Sequence, residues 1–206
     1  MKDTCEYAAY ISQLEPKNFK KAESEESWIS TMQKELGQFE RNKVWTLVLR
    51  PTNHPVIGTK WVFQNKMDEL ENMVRNKARL VVQGYNQEEC IDFDETFAPV
   101  ARLEAIRLLL AFACHMNFKL FQMDVKSAFL NDFIQEEVYV EQPPGFEDFE
   151  KPNHVCKLQK ALYGLKQAPR AWYEMLSKFL MEKGFSRDSV DTTLFLKKHK
   201  HDMLVA

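Results

Sequence analysis

Asp124 stands near the end of an apolar run and is followed at once by Val125-Lys126-Ser127-Ala128-Phe129-Leu130. A carboxylate displayed at the end of a strand is where nucleotidyl-transfer enzymes hold a metal-binding acid. An Asp between strand and helix also serves as an N-cap, its oxygen accepting from an orphan helix N–H, so the residue alone leaves both roles open. Asp92-Phe93-Asp94-Glu95-Thr96 has the spacing of an aspartate-nucleophile phosphatase motif. That chemistry needs a hydrophobic strand in front of the first acid, and Asn86-Gln87-Glu88-Glu89 is polar.

Two spans concentrate positive charge. Arg75, Lys77 and Arg79 lie between Asn72 and Gln87 without any acid, and Lys151, Lys157, Lys160, Lys166 and Arg170 lie between Lys151 and Tyr173 likewise. The second span interleaves Tyr163, Trp172 and Tyr173, a mixture suited to phosphate neutralisation plus stacking. The alternative is a pair of solvated faces, with Trp172 and Leu176 in the core. Either way the contact would be local, because a net charge of -2 gives no whole-molecule attraction for a polyanion.

These side chains need a scaffold, and 206 residues with 45% hydrophobic content, 15 Phe and 4 Trp can build one. Residues 1–21 read as linker-like and 22–43 as an amphipathic helix, started by Ser24 and striped by Trp28, Met32, Leu36 and Phe39. Val44 to Val48, Trp61 to Gln64 and Ala78 to Val82 suggest an antiparallel strand group. Leu103, Ile106, Leu110 and Ala113 set a second helix, whose apolar flank suggests burial on more than one side. Phe118 to Val125 reads as a strand with Phe121, Met123 and Val125 packed and Asp124 on the other face. Val138 to Glu141 and Val155 to Leu158 suggest a strand pair, Trp172 to Leu180 a helix closed by Gly184, and Thr193 to Lys197 with Met203 to Ala206 a hairpin across a polar His199-Lys200-His201 turn.

Cys5, Cys90, Cys114 and Cys156 lack zinc-ligand spacing and read as free thiols. Leu108 to Cys114 is the longest apolar run, too short for a membrane span, and no apolar signal region follows Met1. An intracellular setting, cytoplasmic or nuclear, is expected.

Six ordered motifs carry a resemblance: Ile57 to Phe63, Lys77 to Val81, Gly84-Tyr85, Asp94 to Val100, Gln122 to Leu130, and Ala161 to Tyr173. Together they resemble the reverse transcriptase of copia-type long-terminal-repeat retrotransposons, in wording nearest to plant elements. The resemblance implies an α+β fold over 44–206, a partial fingers-and-palm polymerase that is mainly antiparallel sheet with packed helices and has no thumb. It implies an RNA-directed DNA polymerase, a nucleotidyltransferase that extends a primer on an RNA or DNA template with deoxynucleoside triphosphates during retrotransposition. In such a site Asp124 and the Val125 carbonyl would ligate Mg2+, Phe129 would exclude a ribose 2′-hydroxyl, and Lys77 and Arg79 would hold the triphosphate. Gly164, Lys166 and Gln167 would line the nucleotide pocket.

The family's second acidic motif, Tyr-x-Asp-Asp, would begin just after Ala206. A fragment inactive by itself is therefore expected, with the remaining Pol polyprotein segments as partners in the intact element. A non-catalytic nucleic-acid-binding or interaction module, or a retrotransposon relic, is the alternative. Cys90 and Asp132 stand where the family has glycine, and a left-handed backbone at either would cost about 1 kcal/mol.

Overall fold

The computed structural model describes residues 14–200 and 202–206. Asn18 caps a single turn, α1 (Phe19–Ala22), by accepting from the Lys21 N–H; the turn straddles the boundary expected between linker and helix at residue 22. The amphipathic helix follows as α2 (Glu26–Asn42), and its Trp28, Met32 and Phe39 are buried as their spacing requires. Its start differs from expectation. Glu25 is the N-cap and makes no side-chain cap bond, while the Ser24 hydroxyl donates to the Lys21 carbonyl and so closes α1 instead. At the far end Lys43 turns left-handed (φ 52°) and the Val44 N–H folds back onto the Phe39 carbonyl, a closure that satisfies orphan helix carbonyls.

Four strands come next: β1 (Trp45–Leu49), β2 (Val56–Ile57), β3 (Thr59–Met67) and β4 (Met73–Val82). The β3–β4 hairpin pairs antiparallel from Thr59 with Val82 to Met67 with Met73. Period two sorts its side chains. Trp61, Phe63, Ala78, Leu80 and Val82 are buried on one face, where Trp28 meets Phe63 edge-on at 5.2 Å between centroids. The other face displays Lys60, Lys66, Arg75, Lys77 and Arg79.

A 3₁₀ turn (Gly84–Asn86), α3 (Leu103–His115) and a second 3₁₀ turn (Ala128–Asn131) lead to β5 (Tyr139–Val140), β6 (His154–Leu158) and α4 (Ala168–Glu182). The chain then forms β7 (Ser186–Arg187), β8 (Phe195–His199) and β9 (Asp202–Val205). One sheet has the order β1-β6-β5-β2, β3 and β4 form a second, and β7-β8-β9 a third. The expected single group of β1, β3 and β4 is thus split, because β1 pairs antiparallel with β6. The β5–β6 pair, the β8–β9 hairpin and Gly184 (φ 84°) after α4 agree with the sequence reading; His201 lies outside the described residues. Val44, Val138, Val140, Cys156 and Leu158 join Trp28 and Trp61 in one core cluster. No helix among the described residues is long and apolar enough to cross a membrane.

Two expectations fail between α3 and the second 3₁₀ turn. α3 forms, but only its Ala113 is buried, and Leu108 stays 73% exposed. Phe118 to Val125 is not a strand, and Phe121 and Met123 are exposed rather than packed. The cause is common to both. A strand exists through its ladder bonds, and no described strand pairs with 118–125, so neither that segment nor α3 has a sheet face to bury against.

Candidate functional site

Where β4 ends, the chain makes an unusually close backbone crossing. The Val82 N–H donates to the Tyr163 carbonyl at 2.8 Å. A Cβ added to Gly84 would lie 1.9 Å from the Gly164 carbonyl oxygen, and one on Gly164 would lie 2.1 Å from that of Val82. Gly164 is also left-handed, with φ of 94°. Glycine at both places is what lets residues 161–167 dock across the end of the cation-bearing strand.

A buried amide network locks that docking. Gln87 Oε1 accepts from the Lys166 N–H at 2.8 Å, and its Nε2 donates to Gln167 Oε1 at 3.0 Å. Gln167 Nε2 in turn donates to the Asp92 carbonyl at 2.9 Å. Gln167 was expected to contact the nucleotide. It is instead 2% exposed with its amide engaged, so it fixes the loop rather than reaching a ligand. Lys166 is exposed, its Nζ resting 3.3 Å from the Gln87 carbonyl and 4.7 Å from the Phe93 ring centroid. The Asp92 carboxylate accepts from the Glu88 N–H and is 2% exposed, a turn-stabilising group shut away from any substrate.

Tyr163, half-buried in the docked loop, holds two of the expected site residues against its ring. The Arg79 guanidinium carbon lies 5.3 Å from its ring centroid, and Phe129 meets it edge-on at 5.1 Å. Burial raises the Tyr163 phenol pKa, the Arg79 charge opposes that rise, and the carboxylates of Glu35 and Asp124 add to it. Lys77 shares the Arg79 face of β4 two residues away. Burial lowers the Lys77 ammonium pKa, helped by Arg79, Lys66 and Arg75; burial likewise raises that of the Glu35 carboxyl, against Lys77 and Arg79. Among the described residues no carboxylate lies within ion-pair distance of Arg79, whose N–H donors stay available.

Asp124 itself is exposed, and the N-cap alternative fails, since Ser127 (φ 53°) precedes the 3₁₀ turn. No group of three or more His, Cys, Asp or Glu that could hold a metal ion occurs among the described residues. Asp124 and the Val125 carbonyl offer hard oxygens of the kind magnesium takes, a cation that fills much of its shell with water and substrate phosphate.

Outside the 161–167 loop, the cations of the second basic span are engaged elsewhere. Lys157 pairs with Glu137, Lys151 with Asp148, Lys160 lies over the Phe133 ring, and Arg170 pairs with both Glu95 and Glu174. Trp172 and Leu176 are only half-buried, so the core alternative does not hold for them either. A cleft of about 450 Å³ beside Arg170 is lined by Asp94, Glu95, Glu136 and Glu174, the wrong sign for phosphate. Sequence reasoning offered Tyr163 only as one stacking aromatic among three, and it missed Gln87. Gln87 joins the site only through its tertiary bonds to Lys166 and Gln167.

Residues 42–206 match the family model described as reverse transcriptase (RNA-dependent DNA polymerase). The chain is 42% identical over 186 residues to the Retrovirus-related Pol polyprotein from transposon RE1 of Arabidopsis thaliana, covering 90% of this chain and 13% of that protein. It is 38% identical over 203 residues to the Retrovirus-related Pol polyprotein from transposon TNT 1-94 of Nicotiana tabacum, covering 97% of this chain and 15% of that protein. It thus spans a small part of these relatives. No solved structure matches. With the family match running from the last residue of α2 to Ala206, the chain belongs to the reverse transcriptase family, in the copia-type branch found in plant retrotransposon Pol polyproteins.

Proposed function

We propose that this chain forms the nucleotide-facing part of a template-directed DNA polymerase, fingers and part of the palm, working within a longer Pol polyprotein on an RNA or DNA template-primer. One observation carries the reading: Arg79 and Phe129, far apart in sequence, both pack on the Tyr163 ring beside the Gly84–Gly164 crossing. Lys77 and Arg79 would hold the triphosphate, Arg79 through paired N–H donors and Lys77 as a point charge. Phe129 would face the deoxyribose, where its bulk disfavours a 2′-hydroxyl. Asp124, which is exposed, would face the reacting phosphate. Reverse transcriptases use divalent metal ions, and the further oxygen ligands for one would come from other parts of the polyprotein. Synthesis by this chain alone is accordingly not expected.

Equilibrium binding of dATP tests the reading. Arg79→Ala is expected to weaken it roughly tenfold or more, the scale of a lost charge-assisted hydrogen-bond pair, and Lys77→Ala by less. Lys157→Ala, which breaks a surface pair with Glu137, should leave it unchanged. No measurable dATP binding, or equal losses in all three variants, would contradict the assignment.

A further inference from the structure

We infer that Tyr163 is a positioning residue that couples triphosphate recognition to sugar recognition, its ring face holding Arg79 and its flank holding Phe129. The inference rests on the nucleotide reading above and adds to it a residue and a coupling. An arginine on an open sheet face samples many rotamers, and something must hold it if it is to meet a phosphate in one geometry. A carboxylate could do so only by occupying the N–H donors and the charge that the phosphate needs. An aromatic ring holds the cation through its π face and leaves every donor unbonded.

The geometry supplies that arrangement. Arg79 sits over the ring at 5.3 Å with no ion-pair partner among the described residues. The nearby acid, Glu35, is partly buried, and burial disfavours its charge. The ring is in turn anchored to the strand that carries the arginine, since the Tyr163 carbonyl accepts from the Val82 N–H, three residues beyond Arg79. Phe129 packs against the same ring, so displacing the tyrosine releases the cation and the sugar-facing aromatic together. No described group bonds the Tyr163 hydroxyl, so the ring rather than the phenol carries this role.

A double-mutant cycle on dATP and ATP binding by the full chain tests it. Tyr163→Phe is expected to retain dATP binding within about twofold, and Tyr163→Leu to weaken it roughly three- to fivefold, the scale of an exposed cation–π contact. In an Arg79→Ala background the Tyr163→Leu change should cost clearly less, and Tyr163→Leu alone should narrow the preference for dATP over ATP. Independent effects of the two substitutions, or Tyr163→Phe as damaging as Tyr163→Leu, would overturn the inference while leaving the nucleotide reading intact. Absence of dATP binding by the parent chain would remove the reading itself. A second readout requires no disruptive change: with 4-fluorophenylalanine in place of Tyr163, the fluorine resonance should shift on adding dATP and lose that shift in Arg79→Ala. An unmoved resonance in the parent would overturn the inference even if Tyr163→Leu fails to fold.

Discussion

Cys90 holds a left-handed backbone, φ 66°, with its N–H bonded to the Phe93 carbonyl at 2.9 Å in a tight turn. A side chain with a Cβ is strained there, and Asp132, the other residue standing at a family glycine position, is not: its φ is -108°. Cys90→Gly is therefore expected to stabilise the chain by about 1 kcal/mol in urea denaturation, and Asp132→Gly to give no gain. Equal effects from the two would mean that the turn stores no strain. The pair shows what residue identity can and cannot reveal. Both positions were legible as departures from a family pattern, but which one carries a positive φ depends on the turn between Glu88 and Phe93, and no residue type states that. Lys77 and Arg79 were legible as cations on one strand face. Gln167 was legible as a site residue yet not as a buried strut, because its partners Gln87 and Asp92 lie 80 and 75 residues away.

At the scale of elements, the docking of residues 161–167 on the end of β4 has no tolerance for a methyl group. Gly84→Ala places a carbon 1.9 Å from the Gly164 oxygen, and both partners are backbone, so the crossing must open. A loss of about 1–3 kcal/mol in denaturant stability is expected, the range for overpacking, with weakened dATP binding because Arg79 and Tyr163 separate. Full stability in that variant would show that the crossing is looser than described. Elements defined by their own residues were legible: α2 and α4 through helical spacing, the β3–β4 and β8–β9 hairpins through period two and polar turns. Elements defined by a neighbour were not. The burial of α3 and the strand character of 118–125 both depend on sheet partners absent among the described strands, and β1 left its expected group because β6, more than a hundred residues on, offered it a full ladder.

Across the whole molecule, charge is sorted even though the net charge is only -2. Cations crowd the outer face of β3–β4 and acids crowd the cleft beside Arg170, so a polyanionic ligand has one favourable surface and one that repels it. The exposed apolar residues of α3 and of 118–125 lie apart from the core built on α2 and the first two sheets. Exposed apolar surface of this kind marks an interaction site, and the chain spans 13% of a relative such as the RE1 polyprotein. The central claim is that one surface, β4 with the Tyr163 loop, receives the nucleotide. Photo-crosslinking with 8-azido-dATP, followed by mapping of the labelled peptides, tests it most directly. Labelling that unlabelled dATP suppresses should fall on residues 73–82 and 161–166; labelling confined to the acidic cleft at 133–136 and 170–174, or labelling that dATP does not suppress, would contradict the account.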